Sequence, residues 1–243
     1  MMAERPDAEE HIRRGTDALR DPPSQYGPTQ EPVRAFDVVR LFESRLAAFT
    51  GAPYAVAVDR CRNGLFLCCK YLHVGEVTIP ARTYSAVPAY IKHAGGQVRF
   101  TDVPWSGVYR LAPYPIWDAA GRCQRDMFAL LNDELAWLGM ERPYLFACLS
   151  FHHKKPLAIG SGGAVLTDDP KAAAWLRMAR HDGRRDKVVH GDERPTMLGW
   201  GMYMRPDDAA RGLMLLDVLP DAPPDHVEDY PDLSTWDIFS HAV

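Results

Sequence analysis

No stretch of this 243-residue chain is apolar for long enough to span a bilayer, so a transmembrane helix is not expected. The first 35 residues are charged and carry proline but lack the apolar core of a signal peptide. They read as a loose arm, and secretion is not expected. Cysteine is sparse and unpatterned. The five residues Cys61, Cys68, Cys69, Cys123 and Cys148 form an odd set with no C-x-x-C pair and no repeated spacing. They sit mostly among apolar neighbours, which points to reduced core thiols in a cytoplasmic protein and away from a disulfide framework or a zinc site. An excess of positive charge is lacking too. With 28 Lys and Arg against 32 Asp and Glu the net charge is −4, which argues against a general nucleic-acid binder. No internal repeat is present.

What remains is an ordinary globular composition, with 47% hydrophobic and 25% charged residues, in a chain long enough to bury the core of one large domain. Phe36, Val39, Phe42, Leu46 and Phe49 fall on one helical face, with Gly51 just beyond the end. Tyr54–Val58 reads as a buried strand, Asn63–Leu72 as a helix, Glu76–Pro80 as a strand, Ser85–His93 as a helix and Gln97–Asp102 as a strand. Helical Asp133–Leu138 precedes a strand at Tyr144–Leu149. Gly163–Thr167 is a further strand, followed by helices over Pro170–Arg180 and Pro206–Leu219. The polar stretch His181–Pro195 reads as a mobile loop near a ligand site. This alternation predicts an α/β fold with a mostly parallel sheet covered on both faces, and ligands beyond the carboxyl ends of the strands. The expected division is an arm over 1–35, one large domain over 36–219, and a tail with few packing groups over 220–243.

Two polar residues sit where apolar strands end. Lys155 closes Ser150-Phe151-His152-His153-Lys154-Lys155 after the strand at Tyr144 and before the glycine-rich turn Gly160-Ser161-Gly162-Gly163. Asp118 ends Pro115-Ile116-Trp117-Asp118, where a buried acid is costly unless it meets a cation. Pyridoxal 5'-phosphate (PLP) calls for this pair: a lysine amine to join its aldehyde as a Schiff base, and a carboxylate to keep its pyridine nitrogen protonated. Lys154 supplies a neighbouring positive charge that favours the neutral amine at Lys155. A lysine at a strand exit is also commonly a solvated surface residue, so the residues alone leave both readings open. Adjacent His152 and His153 are expected to point to opposite sides of the strand exit, with no further ligand set nearby, so no metal site is expected.

The chain resembles the DegT-type sugar aminotransferases, PLP enzymes of fold type I. The likeness runs from Phe42-Glu-Ser-Arg-Leu-Ala-Ala-Phe-Thr-Gly51 through Ile79-Pro-Ala-Arg-Thr-Tyr84, Ala94-Gly-Gly96 and Asp118-Ala-Ala120. It continues through Gly162-Gly-Ala-Val-Leu-Thr-Asp-Asp169 and Arg180-His-Asp-Gly-Arg184 to Leu198-Gly-Trp200. The resemblance implies a three-layer α/β/α large domain, with the small C-terminal domain of the family largely absent. It implies Lys155 as the Schiff-base lysine, Asp118 as partner of the pyridine nitrogen and Tyr84 stacked on the ring. Ser150, Cys61 and Arg62 are implied as part of the phosphate site. The start of a helix at Asn63 independently favours a phosphate there, through its free amides.

The chain also departs from the family pattern. Arg60-Cys61-Arg62 stands where Ser-Gly-Thr is common, and Gly121 where a Gln or His usually approaches the ring hydroxyl. Ser161 replaces a frequent Glu, and Gly201 a frequent Asn. The function implied is amino transfer from an amino acid such as glutamate to a nucleotide-linked keto sugar, for amino-sugar or surface polysaccharide biosynthesis, by a homodimer. Family members that lack the lysine act as dehydratases, so Lys155 favours amino transfer. The altered turn and the short chain keep a second reading in view, a non-catalytic member that binds cofactor, sugar nucleotide or a partner chain.

Overall fold

The computed structural model describes residues 36–139, 144–185 and 194–240. The expected arm over 1–35 and most of the expected loop near 190 lie outside the described residues. Helix α1 (Asp37–Thr50) buries Val39, Phe42, Leu46 and Phe49 of the expected stripe, while Phe36 precedes the helix and is exposed. Strand β1 (Tyr54–Val58) leads into α2 (Cys61–Tyr71), followed by β2 (Glu76–Pro80), α3 (Ala86–His93) and β3 (Gln97–Thr101). A two-residue strand β4 (Tyr109–Arg110) then pairs with β5 (Ile116–Ala119). The chain continues through α4 (Met127–Trp137), β6 (Phe146–Ser150), β7 (Gly163–Thr167), α5 (Pro170–Ala179) and α6 (Pro206–Leu216).

The strands of the main sheet alternate between two cores, as a period of two requires. Ala55, Ala57, Ala147, Leu149, Ala164 and Leu166 face one side and pack with Phe42, Phe128 and Ala209 of α1, α4 and α6. Val56, Val58, Phe146, Cys148 and Val165 face the other and pack with Leu65, Ile91 and Leu176 of α2, α3 and α5. The result is three layers with a sheet buried on both faces.

Strand direction departs from the expectation of a mostly parallel sheet. The five strands run in the order β1-β7-β6-β5-β4, and only β5 and β6 are parallel, with Asp118 opposite Cys148. Strands β1 and β7, β6 and β7, and β4 and β5 pair antiparallel. Connection chemistry gives the reason. A parallel neighbour needs a crossover, usually through a helix, whereas residues 151–162 between β6 and β7 contain none, so the chain returns antiparallel. Strands β2 and β3 do form a parallel pair through α3. That pair joins the edge of the main sheet through Thr78, whose amide donates to Ala112 O at 2.7 Å and whose carbonyl accepts from Ala112 N at 3.0 Å.

A buried ion pair ties α1, β1 and α5 together. Arg180 reaches Glu43 and the carbonyl of Ala57, while the amide of Ala57 donates to Glu43 Oε1 at 2.9 Å. Both charged side chains are buried, with 5% exposure each, so the pair persists only because each charge is met by the other and by backbone.

The segment after α6 is not the sparsely packed tail expected from composition. Its backbone runs back across the strand ends: Arg125 N donates to Asp221 O at 2.7 Å, His226 N to Gly121 O at 2.8 Å and Leu233 N to Ala81 O at 2.9 Å. Asp225 takes a two-pronged ion pair from Arg122. Leu233 is fully buried in a 3-10 turn (Leu233–Thr235) that Asp232 caps by accepting from Ser234 N at 3.0 Å. A short helix α7 (Asp237–Ser240) places Phe239 edge-on to Phe100. We call residues 221–236 the strap.

Candidate active site

The site lies where α/β sheets place ligands, beyond the carboxyl ends of β5 and β6. Here a cavity of about 560 Å³ is lined by residues from the α2 start, the β2–α3 loop, β5, the β6–β7 connection and the strap. Lys155, Asp118, Tyr84, Ser150, Cys61 and Arg62 all line it, so six residues from distant parts of the sequence converge on one space.

Asp118 forms part of its floor, 5% exposed. Its Oδ1 accepts from Ala120 N and its Oδ2 from the Tyr109 hydroxyl, both at 2.9 Å. Tyr109 has one proton and spends it on the carboxylate, so Thr83, 2.7 Å from the phenol oxygen, donates to Tyr109. Burial pushes the Asp118 carboxyl above the ordinary carboxylate range, against the opposing pull of these two donors and of the Lys155 charge. It pushes the Tyr109 phenol up as well, with the neighbouring Asp118 charge adding to the effect.

Lys155 is set by the turn that follows β6. Phe151 is fully buried, meets Phe42 edge-on at 5.5 Å and donates its amide to Gly162 O at 3.1 Å. Lys155 N then donates to His152 O at 2.8 Å, closing a tight turn over the anchored phenylalanine. The side chain is half-buried. Burial lowers its pKa, while the negative charges of Glu228 and Asp118 act the other way, so the amine senses the acid on the floor. Lys154 faces a different environment. It is about half exposed and its Nζ lies 3.1 Å from Glu228 Oε1. His152 and His153 are not on opposite sides as expected: the strand has already ended at Ser150, and their rings lie 4.0 Å apart.

At the other end of the cavity, α2 begins after Arg60, which offers no side-chain cap to the first turn. The Cys61 thiol donates to Cys148 O at 3.4 Å, and burial pushes its pKa well up. Arg62 stacks over the Tyr90 ring at 5.6 Å and donates from Nε to its hydroxyl at 3.1 Å. Arg60 Nη1 donates to Asp59 O at 2.7 Å and contacts Ser161. Ser150 Oγ accepts from His152 N at 3.4 Å. Tyr84 is 50% exposed on the rim.

Sequence reasoning missed the aromatic wall and the strap. Trp105 stacks on Tyr230 with ring centres 6.2 Å apart and planes 13° apart, and meets Tyr109 edge-on at 4.7 Å. From the strap, His226, Glu228 and Tyr230 line the cavity. The Tyr109–Asp118 register across two-residue β4 carries no sequence pattern long enough to read.

The profile of the DegT/DnrJ/EryC1/StrS aminotransferase family matches residues 30–108 and 143–222. The chain belongs to this family. Among curated relatives, the spore coat polysaccharide biosynthesis protein SpsC of Bacillus subtilis (strain 168) is 27% identical over 172 residues, covering 58% of this chain and 44% of SpsC. Of solved structures, DesV of S. venezuelae is 25% identical with a TM-score of 0.58, covering 87% of this chain and 64% of DesV. DesI, solved in the presence of its TDP-sugar product, is 25% identical with a TM-score of 0.56, covering 89% of this chain and 60% of DesI. The fold is PLP fold type I, and the described residues build its large domain. The chain thus spans less than half the length of SpsC and under two thirds of DesV and DesI. Among the described residues, no helix is long and apolar enough to cross a membrane.

Proposed function

We propose that this chain binds pyridoxal 5'-phosphate in the cavity between Asp118 and Lys155 and transfers an amino group from an amino acid, with glutamate as the expected donor, to a nucleotide-linked keto sugar. The observation that carries the reading is a buried carboxylate on the cavity floor coupled by charge to a half-buried lysine in the same cavity. The residues fit the cofactor. Asp118 is a buried acid that its two hydrogen bonds do not neutralise, so a protonated ring nitrogen would offset the cost of its burial. The uncapped start of α2, with Cys61, Arg62 and Ser150, suits a phosphate, and the Cys61 thiol is already engaged with Cys148 O. Tyr84 on the rim suits the face of a ring.

Bound there, the cofactor supplies an electron sink for the carbon that loses its proton. The chain's own residues do the rest. Lys155 Nζ would hold the cofactor and, with its lowered pKa, would serve as the base and acid that holds and releases a proton. Asp118 would keep the ring nitrogen protonated, and Thr83 and Tyr109 fix the orientation of its carboxylate. Trp105 and Tyr230 exclude water from one side. SpsC takes its name from polysaccharide biosynthesis and DesI was solved with a TDP-sugar product, which supports a sugar-nucleotide substrate and a role in amino-sugar or surface polysaccharide synthesis. We assign the active form as a homodimer. Exposed Leu41 of α1, Met214 of α6 and Val218 beyond it support association, and light scattering tests it.

Borohydride treatment of protein saturated with cofactor, followed by peptide mass spectrometry, tests the anchor. An adduct on Lys155 that disappears in Lys155→Ala is the expected result; an adduct on Lys154, or none, overturns the assignment. A second reading, a cofactor-binding member without turnover, is favoured by the strap across the cavity and by Arg62 being engaged with Tyr90. A Lys155 adduct without exchange of the α-proton of any amino acid would select it.

A further inference from the structure

The strap is fitted to the cavity mouth by two glycines that the reading above does not use. A Cβ on Gly121 would come within 2.8 Å of His226 O and 2.9 Å of Gly107, and one on Gly107 (φ +68) would strike the Asp225 carboxyl at 2.3 Å. The bare backbone at both positions lets residues 225 and 226 lie against the end of β5. From there the strap delivers one carboxylate to the cavity. Glu228 receives Lys154 Nζ at 3.1 Å, His226 Nε2 at 3.3 Å and the Tyr230 hydroxyl at 3.2 Å.

Charge balance gives that carboxylate a role. Among the described residues the cavity lining holds Arg60, Arg62, Lys154 and Lys155, together with His152 and His226, but only two acids, Asp118 and Glu228. Asp118 is on the floor and bonded to Tyr109 and Ala120. Glu228 is therefore the acid that answers the lysine end of the cavity, and it comes from a segment outside the sheet. Its ion pair is partly exposed, with 51% and 35% of the two side chains accessible, so exchanging it for another carboxylate costs little.

We propose that Glu228 is a gate for carboxylates: it holds on Lys154 the place that the carboxylate of an amino-acid substrate takes, so that substrate entry and strap release are one exchange. This rests on the amino-transfer reading and adds to it the residue that receives the donor acid, Lys154, and the residue that competes with it, Glu228. A donor carboxylate replaces one ion pair with another, while Glu228 turns to water and the strap loses its tether to the lysine end of the cavity, leaving the Arg122–Asp225 pair and the backbone bonds to Gly121 and Ala81 to hold it more loosely. A ligand without a carboxylate has no such exchange to offer and leaves the strap in place.

The test uses glutarate, an unreactive dicarboxylate, on the cofactor-free full chain. Calorimetry gives its affinity, and hydrogen exchange follows the amides of His226 and Leu233, which bond Gly121 and Ala81. Glutarate should speed exchange at both amides in the wild type. It should bind about fivefold tighter to Glu228→Gln, whose amides already exchange faster, and it should lose binding in Lys154→Met but keep it in Lys154→Arg. Equal affinity for wild type and Glu228→Gln, no binding to either, or binding that leaves both amides protected overturns the gate. Since no cofactor is present, failure of the borohydride experiment on Lys155 would sink the amino-transfer reading while leaving this outcome to be read on its own.

Discussion

Tyr109 donates its only hydroxyl proton to Asp118 across the β4–β5 pair, where the two residues stand directly opposite in register. Removing that proton leaves the acid with the Ala120 amide as its remaining hydrogen-bond donor in the site, and leaves the Thr83 hydroxyl without its acceptor. Tyr109→Phe should cost about 1–3 kcal/mol of folding stability by denaturant titration and weaken cofactor binding. Thr83→Val, one bond further from the acid, should show a smaller loss in both.

The raised pKa of Asp118 sets the sign of a pH effect. The folded state holds the proton more tightly than the unfolded state, so ionisation costs stability as pH rises from the ordinary carboxylate range through the raised folded value, and no more above it. In melting experiments on cofactor-free protein, the wild type should gain on Asp118→Asn as pH is lowered through that window. A constant difference would mean that Asp118 keeps an ordinary pKa. Saturating cofactor should shrink the slope, because a protonated ring nitrogen lets the carboxylate stay charged.

The Glu43–Arg180 pair is nearly inaccessible, and Arg177 Nε approaches the second Glu43 oxygen at 3.6 Å. Arg180→Met should destabilise the fold by about 3–5 kcal/mol in denaturant titration, since it removes the nearer cation and leaves the buried carboxylate to Arg177 and the Ala57 amide. The double variant with Glu43→Leu should recover part of that loss.

Gly121→Ala should act on the strap before it acts on the sheet. The added carbon meets His226 O at 2.8 Å, and the strap is the easier of the two to displace. Expected are about 1–3 kcal/mol of lost stability and faster exchange at the His226 and Leu233 amides, with β5 itself still protected. Protection unchanged at both amides would show that the strap does not depend on this contact.

All five cysteines are free and buried, and burial pushes Cys69 and Cys123 up to about 12. The native protein should therefore react slowly with thiol-alkylating reagents, and denatured protein should take up five equivalents. Fast labelling of the native chain would place at least one thiol outside the core.

The parts of this structure that were legible from sequence are those with a period. The stripe of α1 and the runs of β1, β2, β6 and β7 appear within a residue or two of where their patterns put them. Strand direction was not legible. A strand buried on both faces, such as β7, reads the same whether its neighbour runs parallel or antiparallel, and the deciding fact is the absence of a helix between Phe151 and Gly162. The six residues that the family likeness singles out line one cavity, but the groups around them have no such signal. Tyr109 sits in a strand of two residues, and the strap is held by Arg122–Asp225 and by backbone bonds to Gly121 and Ala81, none of which repeats in sequence. The two histidines were misplaced because the strand rule was carried past Ser150, where the strand ends.

Gly163 stands at a close approach of backbone to backbone beside the cavity. A carbon there would meet Cys61 N at 2.5 Å and Leu149 O at 2.7 Å, so β7 is wedged between the first amide of α2 and the strand that leads to Lys155. The spacing between the two ends of the cavity is in this way written into main chain, which no side-chain substitution elsewhere can lengthen. The strap lines the same cavity without belonging to the sheet, so divergence in what the cavity accepts is expected there before it is expected at Gly163.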